Sequence, residues 1–246
     1  EKIFILGAGS NTLITDKFFN GVVIKLSKNF NNITLLRDDI IIAGSAVLDK
    51  SLSDFAMNNN LSGFEFLSCI PGTIGGGIRM NAGCFENEFK DILISVQAID
   101  LSGKVFTIPA KEINFEYRNN DLPENLIFLS ASFKGTKDSA KNITDKMNKL
   151  KFEKEKNQPT KIKTSGSTFK NPIKQSNKKV WELIRESVPL DTKFGDACIS
   201  NKHSNFFVNK GDATFRDMKK LIDFVAESVF KKTGISIEKE IKILEN

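Results

Sequence analysis

The chain has 246 residues, 40% of them hydrophobic and 27% charged, with 21 Phe, which is enough to bury one large or two modest cores and excludes the composition of a disordered chain. A net charge of +6 suits an anionic partner such as a nucleotide, a nucleic acid or a membrane surface, but its lysines are scattered and read as solvated surface, densest over 146–163. Three cysteines (Cys69, Cys84, Cys198) without C-x-x-C spacing, together with a single histidine, His203, argue against a zinc centre and for a reducing, cytoplasmic setting, and no metal is expected.

The chain opens at Glu1 directly inside an apolar run, without an initiator Met or the layout of a signal peptide, and reads as a piece of something longer. From Lys2 to about Lys134, short apolar runs alternate with Asn, Gly and Asp turns: Ile3–Leu6, Val22–Leu26, Ile40–Ala43, Val96–Ile99 and Ile127–Ala131. That pattern predicts a strand-rich half. Leu48, Leu52, Phe55 and Ala56 share one helical face and predict a helix over 48–58, while Leu101–Thr107 has the composition of a hairpin. The longest uncharged run, Phe66–Ile78, is broken by Pro71, Gly72 and Gly75 to Gly77, and is too short to span a bilayer.

A Lys- and Asn-rich stretch over 134–163 reads as a polar connector, dividing the chain into domains at 1–137 and 138–246. Beyond it, Val180–Ser187 is a predicted helix and Thr214–Lys232 a longer one. In the latter, Thr214 and Asp217 form a capping box, Phe215, Met218, Leu221, Ile222, Val225 and Val229 make the stripe, and Gly234 ends it. Strands are expected at Asn205–Asn209 and Ile235–Ile243.

Two glycine-rich segments interrupt the first half. Gly7-Ala8-Gly9-Ser10-Asn11 follows a predicted strand like the start of a dinucleotide fingerprint, but Thr12 stands where the third glycine belongs and no helix follows. Ile70-Pro71-Gly72-Thr73-Ile74-Gly75-Gly76-Gly77, with Asn81-Ala82-Gly83, exposes backbone amides as a nest for a pyrophosphate. A nucleotide cofactor is the natural partner, with tight structural turns as the plainer alternative.

With Tyr117-Arg118, Gly166-Ser167-Thr168-Phe169-Lys170-Asn171-Pro172, Lys202-His203-Ser204-Asn205-Phe206 and Glu240 added in order, the sequence resembles the UDP-N-acetylenolpyruvoylglucosamine reductase (MurB) family over nearly its whole length. The resemblance implies an α+β protein: a FAD-binding domain of the vanillyl-alcohol-oxidase (PCMH) type, then a smaller α+β substrate-binding domain whose terminal strand, 235–243, returns to the active site. It implies noncovalent FAD held by Gly7, Ala8, Gly9, Ser10, Asn11, Pro71, Gly72, Thr73, Gly75, Gly76, Asn81, Ala82 and Gly83, and NADPH as co-substrate. The sugar nucleotide would be bound by Tyr117, Arg118, Ser167, Asn171 and Glu240, with Arg118, Ser167 and Glu240 catalytic. Taken singly these read as a surface charge, a loop serine and the wet face of a strand; their joint occurrence carries the assignment.

Tyr117 is the only tyrosine, so the chain is expected to belong to the branch without an inserted tyrosine loop. An N-terminal lobe of the family is not seen here, and Cys84-Phe85 and Asn120 depart from the usual residues. The implied activity is UDP-N-acetylmuramate dehydrogenase, serving peptidoglycan synthesis, in a cytoplasmic monomer that binds neither nucleic acid nor membrane. Another FAD-dependent oxidoreductase of the same fold is the alternative, and a basic nucleic-acid-binding module a more distant one.

Overall fold

A computed structural model describes residues 2–159 and 162–246 and divides into two compact units. The first gathers the residues up to Ala8 with Gly21–Lys154. Its centre is a five-stranded antiparallel sheet in the order Val105–Pro109, Leu93–Ile99, Ile127–Lys134, Ile40–Gly44, Ile33–Arg37. Alternation puts Ile41, Ala43, Val96, Ala98, Ala131 and Phe133 in the core, where Phe64 and Phe89 pack edge-on against Phe133. Lys2–Ile5 pairs in parallel with Gly21–Ile24. The hairpin expected near 101–107 turns at Asp100–Lys104, whose Asp100 carboxylate accepts from the Ser102 and Lys104 amides.

The helix expected at 48–58 is Asp49–Asn58, and a second, Ile74–Arg79, is built from the glycine-rich segment. The stretch 134–163 is not the polar connector expected from its composition: Ala140–Asn157 is helical. Ile143 and Met147 are buried and Leu150 packs on the same core, an i, i+4, i+7 stripe that averaging over so many lysines hides. Residues 160 and 161 of that stretch lie outside those described. Because this helix packs on the first unit, the compact units divide at 154/155 and not at 137/138.

The second unit joins Gly9–Asn20 to Glu155–Asn246. A four-stranded antiparallel sheet runs Thr164–Ser167, Phe206–Asn209, Ala197–Ile199, Lys193–Phe194. The helices Val180–Ser187 and Phe215–Thr233 bury Leu183, Ile184, Leu221, Ile222, Val225 and Val229 in one core with Phe169 and Phe207. The longer helix starts and stops where the sequence says: Thr214 and Asp217 cap each other and Gly234 is left-handed at φ 72°. The terminal strand is shorter than expected. Only Lys242–Leu244 makes a ladder, in parallel with Thr12–Ile14, because 235–241 touches Phe169 through a single bridge at Lys239. Ile237 and Ile241 are nevertheless buried, which is the alternation read as a strand.

Candidate active site

In the first unit the glycine segments are held close. A Cβ on Gly7 would sit 2.6 Å from Thr73 Oγ1, so the turn after the first strand lies against the Pro71–Thr73 loop with no room for a side chain. This side-chain-free cradle fits a dinucleotide diphosphate, and with it the FAD that the resemblance implies. The nest is narrower than the glycine count suggests. The Ile74, Gly75 and Gly77 amides donate to Val47, Ser45 and Thr73 carbonyls at 2.9, 3.0 and 2.8 Å, and the Ala82 amide to Gly77 at 2.8 Å. Beneath the loop, burial pushes the Asp49 carboxyl well up, and neither of its oxygens has a hydrogen-bond partner among the described residues.

Arg118 is left-handed, at φ 57°, and Asn81 at 39°. For non-glycine residues such backbone costs on the order of 1–3 kcal/mol and persists only where the surroundings over-determine it. They do so here. Asn120 Nδ2 donates to the Ile78 and Arg79 carbonyls at 3.0 and 2.9 Å, pinning the Tyr117–Asn120 turn to the end of the glycine-rich helix. Arg79 returns two bonds, to the Leu122 and Leu126 carbonyls at 2.9 and 3.0 Å. The Arg118 guanidinium lies over the Tyr117 ring at 4.9 Å and donates to the Gly83 carbonyl at 2.7 Å, so the arginine rests on the Asn81–Gly83 loop. Glu88 serves both partners: it accepts from Asn81 Nδ2 at 3.0 Å and lies 3.8 Å from Arg118.

The other expected residues belong to the second unit. Gly166 is left-handed at φ 80°, and the ladder to Phe206–Asn209 slips between Thr164 and Ser167, a bulge that re-aims the side chain after it. Ser167 is that residue. On one flank Asn205 imitates a strand: its backbone carbonyl accepts from the Thr168 amide at 2.9 Å, and its carboxamide exchanges two bonds with the Phe169 backbone at 3.0 and 2.9 Å. On the other, the Glu240 amide donates to the Thr168 carbonyl at 2.8 Å and the Lys170 amide to the Glu238 carbonyl at 2.8 Å. The Glu240 backbone is thereby held against Thr168, the residue after Ser167.

Asn11, expected to touch the cofactor, donates through Nδ2 to the Glu240 carbonyl at 3.0 Å, and its own carbonyl accepts from the Lys242 amide. Asn171 Oδ1 accepts from the Val180 amide at 3.0 Å and so holds the start of the Val180–Ser187 helix. His203 stacks edge-on against Phe206 at 4.8 Å, and burial lowers its basicity, as suits a structural residue. A cleft of about 420 Å³ in this unit runs along Thr12, Lys163, Thr164, Ser165 and Thr214 and does not include Ser167 or Glu240. Among the described residues no cluster of His, Cys, Asp or Glu could hold a metal, and no helix is long and apolar enough to cross a membrane.

Sequence reasoning passed over Glu88 and gave Asn120 and Asn205 no role of their own. Asn205 lies in the quoted Lys202–Phe206 run, where its spacing from Ser167 says nothing of the clamp. Glu88 and Asn120 gain meaning only when Asn81 and Arg118 are seen together.

Residues 158–244 match the family described as UDP-N-acetylenolpyruvoylglucosamine reductase, C-terminal domain, and residues 1–109 match the FAD binding domain family. A UDP-N-acetylenolpyruvoylglucosamine reductase of Pelagibacter ubique (strain HTCC1062) is 70% identical over 244 residues, 99% of this chain and 81% of that protein. The one of Rickettsia massiliae (strain Mtu5) is 47% identical over 96% of this chain and 79% of its own. The crystal structure of the reductase MurB from Thermus caldophilus superposes with a TM-score of 0.85 at 30% identity, covering 99% of this chain and 85% of that one. Sequence along nearly the whole chain and fold agree: this protein belongs to the UDP-N-acetylenolpyruvoylglucosamine reductase family and carries an FAD-binding domain.

Proposed function

We propose that the chain reduces the enolpyruvyl ether of UDP-N-acetylglucosamine enolpyruvate to UDP-N-acetylmuramate, with noncovalent FAD, NADPH as the hydride source, and Arg118, Ser167 and Glu240 as its catalytic residues. In this reading it acts as a cytoplasmic monomer that supplies peptidoglycan synthesis. FAD bound at the glycine loops would supply the hydride-transfer chemistry between NADPH and the terminal vinyl carbon. Charge then builds toward the substrate carboxylate. The planar, permanently charged Arg118 fork suits that group, and its bond to the Gly83 carbonyl orients it in advance. Ser167 donates the proton to the neighbouring carbon as general acid, and Glu240 stabilises or relays charge on the carboxylate side. Tyr117 and Asn171 help to seat the substrate.

The observation that supports this reading best is the bulge at Gly166, which re-aims Ser167 one residue before Thr168, whose carbonyl accepts from the Glu240 amide. Stopped-flow kinetics on Ser167→Ala test it. NADPH should still bleach the flavin at the wild-type rate, while reoxidation by the enolpyruvyl sugar nucleotide slows by about 10²–10⁴, the usual worth of a positioned acid. Reoxidation at the normal rate would overturn the role of Ser167.

A further inference from the structure

Cys69 ends the short helical turn Glu65–Cys69 and immediately precedes the Ile70–Thr73 loop; Cys84 immediately follows Asn81–Gly83. One thiol therefore borders each glycine loop, and neither is in a disulfide. The two thiols are near enough for each to shift the titration of the other. The Cys84 thiol also donates to the Phe66 carbonyl at 3.3 Å, one turn before Cys69, and Ser68 Oγ lies 3.7 Å from Cys69 Sγ. Lys154 donates to the Cys69 carbonyl.

We propose that Cys69 and Cys84 are an oxidant-sensitive dithiol, a modification site at which a peroxide closes a disulfide between the two glycine loops. The pair has the division of labour such chemistry needs. The neighbouring Cys84 side chain holds the Cys69 thiol below its ordinary range against the opposing effect of burial, with Ser68, Lys154 and Lys151 adding to it, while Cys69 and burial push Cys84 up. Cys69 is the nucleophile. Its thiolate attacks the peroxide O–O bond, takes one oxygen as sulfenic acid and releases water once the other is protonated. Cys84 sulfur then attacks the sulfenic sulfur, expelling hydroxide that leaves with the Cys84 proton as a second water. Two thiols and one hydrogen peroxide give one disulfide and two waters. Cys69 is nearly buried, which favours closure by its neighbour over further oxidation by bulk peroxide.

The test is independent of turnover, so its failure and that of the reductase reading are distinguishable. The FAD-loaded protein is treated with hydrogen peroxide, then digested and read by mass spectrometry beside a titration of thiols in denaturant. Two of the three thiols should be lost, with a cross-linked peptide joining Cys69 to Cys84, the loss of two hydrogen atoms in intact mass, and full recovery on reduction. Cys198→Ser should behave the same, while Cys69→Ala and Cys84→Ala should form no intramolecular link. Stable sulfinic acid on Cys69 in the unsubstituted protein, or equal oxidation of all three cysteines, would overturn the proposal; neither depends on a variant folding.

Discussion

The two units position their candidate site residues by different means. Arg118 sits on a left-handed backbone held by side chains from elsewhere: Asn120, Asn81 and Glu88. Ser167 lies on a strand edge whose next two residues are gripped on both flanks, mostly by backbone. The first arrangement stores strain and depends on distant polar groups; the second depends on the register of short ladders. Among the described residues both units bury unpaired hydroxyls, Ser45 and Ser53 in the first and Ser187 in the second, but only the first buries an unpaired carboxyl, Asp49.

The sharpest break of this contrast is Asn205→Ala, since the Asn205 side chain stands in for backbone directly beside the Ser167–Phe169 strand. Both carboxamide bonds to Phe169 are fully buried, so the variant leaves a buried amide and carbonyl unsatisfied, at about 1–3 kcal/mol for each such group. The unfolding midpoint in urea should drop by an amount equivalent to about 2–4 kcal/mol, and substrate-driven flavin reoxidation should slow with it. An unchanged midpoint would mean that the pairing with Glu238–Glu240 is sufficient alone.

Much of this was legible in the sequence, for reasons that separate the two units. The capping box at Thr214, the Val180–Ser187 helix and the short apolar runs of the first half are local patterns, and the runs became strands within three residues of their expected ends. The Ala140–Asn157 helix was hidden because its apolar stripe is only three residues wide among lysines. The terminal strand was overread because alternating burial was taken for a hydrogen-bonded ladder. At the candidate site the motifs named the candidate residues but not their supports, because Asn120 and Glu88 are set by pairings across the chain that no local spacing encodes.

Asp49 tests the unpaired side of the comparison. It stands in the first turn of its helix, where the dipole favours the ionised form by only about 0.3–1 kcal/mol, and burial outweighs that. The folded carboxyl therefore titrates above its ordinary value of 3.8. Between those two values the native state keeps a proton that the unfolded chain has lost, so stability falls as pH rises, by up to about 1.4 kcal/mol per unit. Asp49→Asn has no such slope. Its urea midpoint should gain steadily on wild type as pH rises from about 4, and a constant difference between the two would show the carboxyl to be ionised in the fold.

Glu88→Gln should have the smallest effect on stability and the most specific one on function. The amide oxygen of Gln still accepts from Asn81 Nδ2, so the turn keeps its pin, and partly exposed ion pairs such as those to Lys90 and Arg118 are worth at most about 1 kcal/mol. What disappears is the negative charge 3.8 Å from Arg118. In the proposed role of Arg118, that charge both competes with a substrate carboxylate and fixes the guanidinium. Steady-state kinetics should then show KM for the sugar nucleotide falling, as the competitor is removed, while kcat falls because the fork is no longer held for the developing charge. A rise in KM at constant kcat would mean that Glu88 contributes to ground-state binding and that Arg118 is oriented by the Gly83 carbonyl and the Tyr117 ring alone.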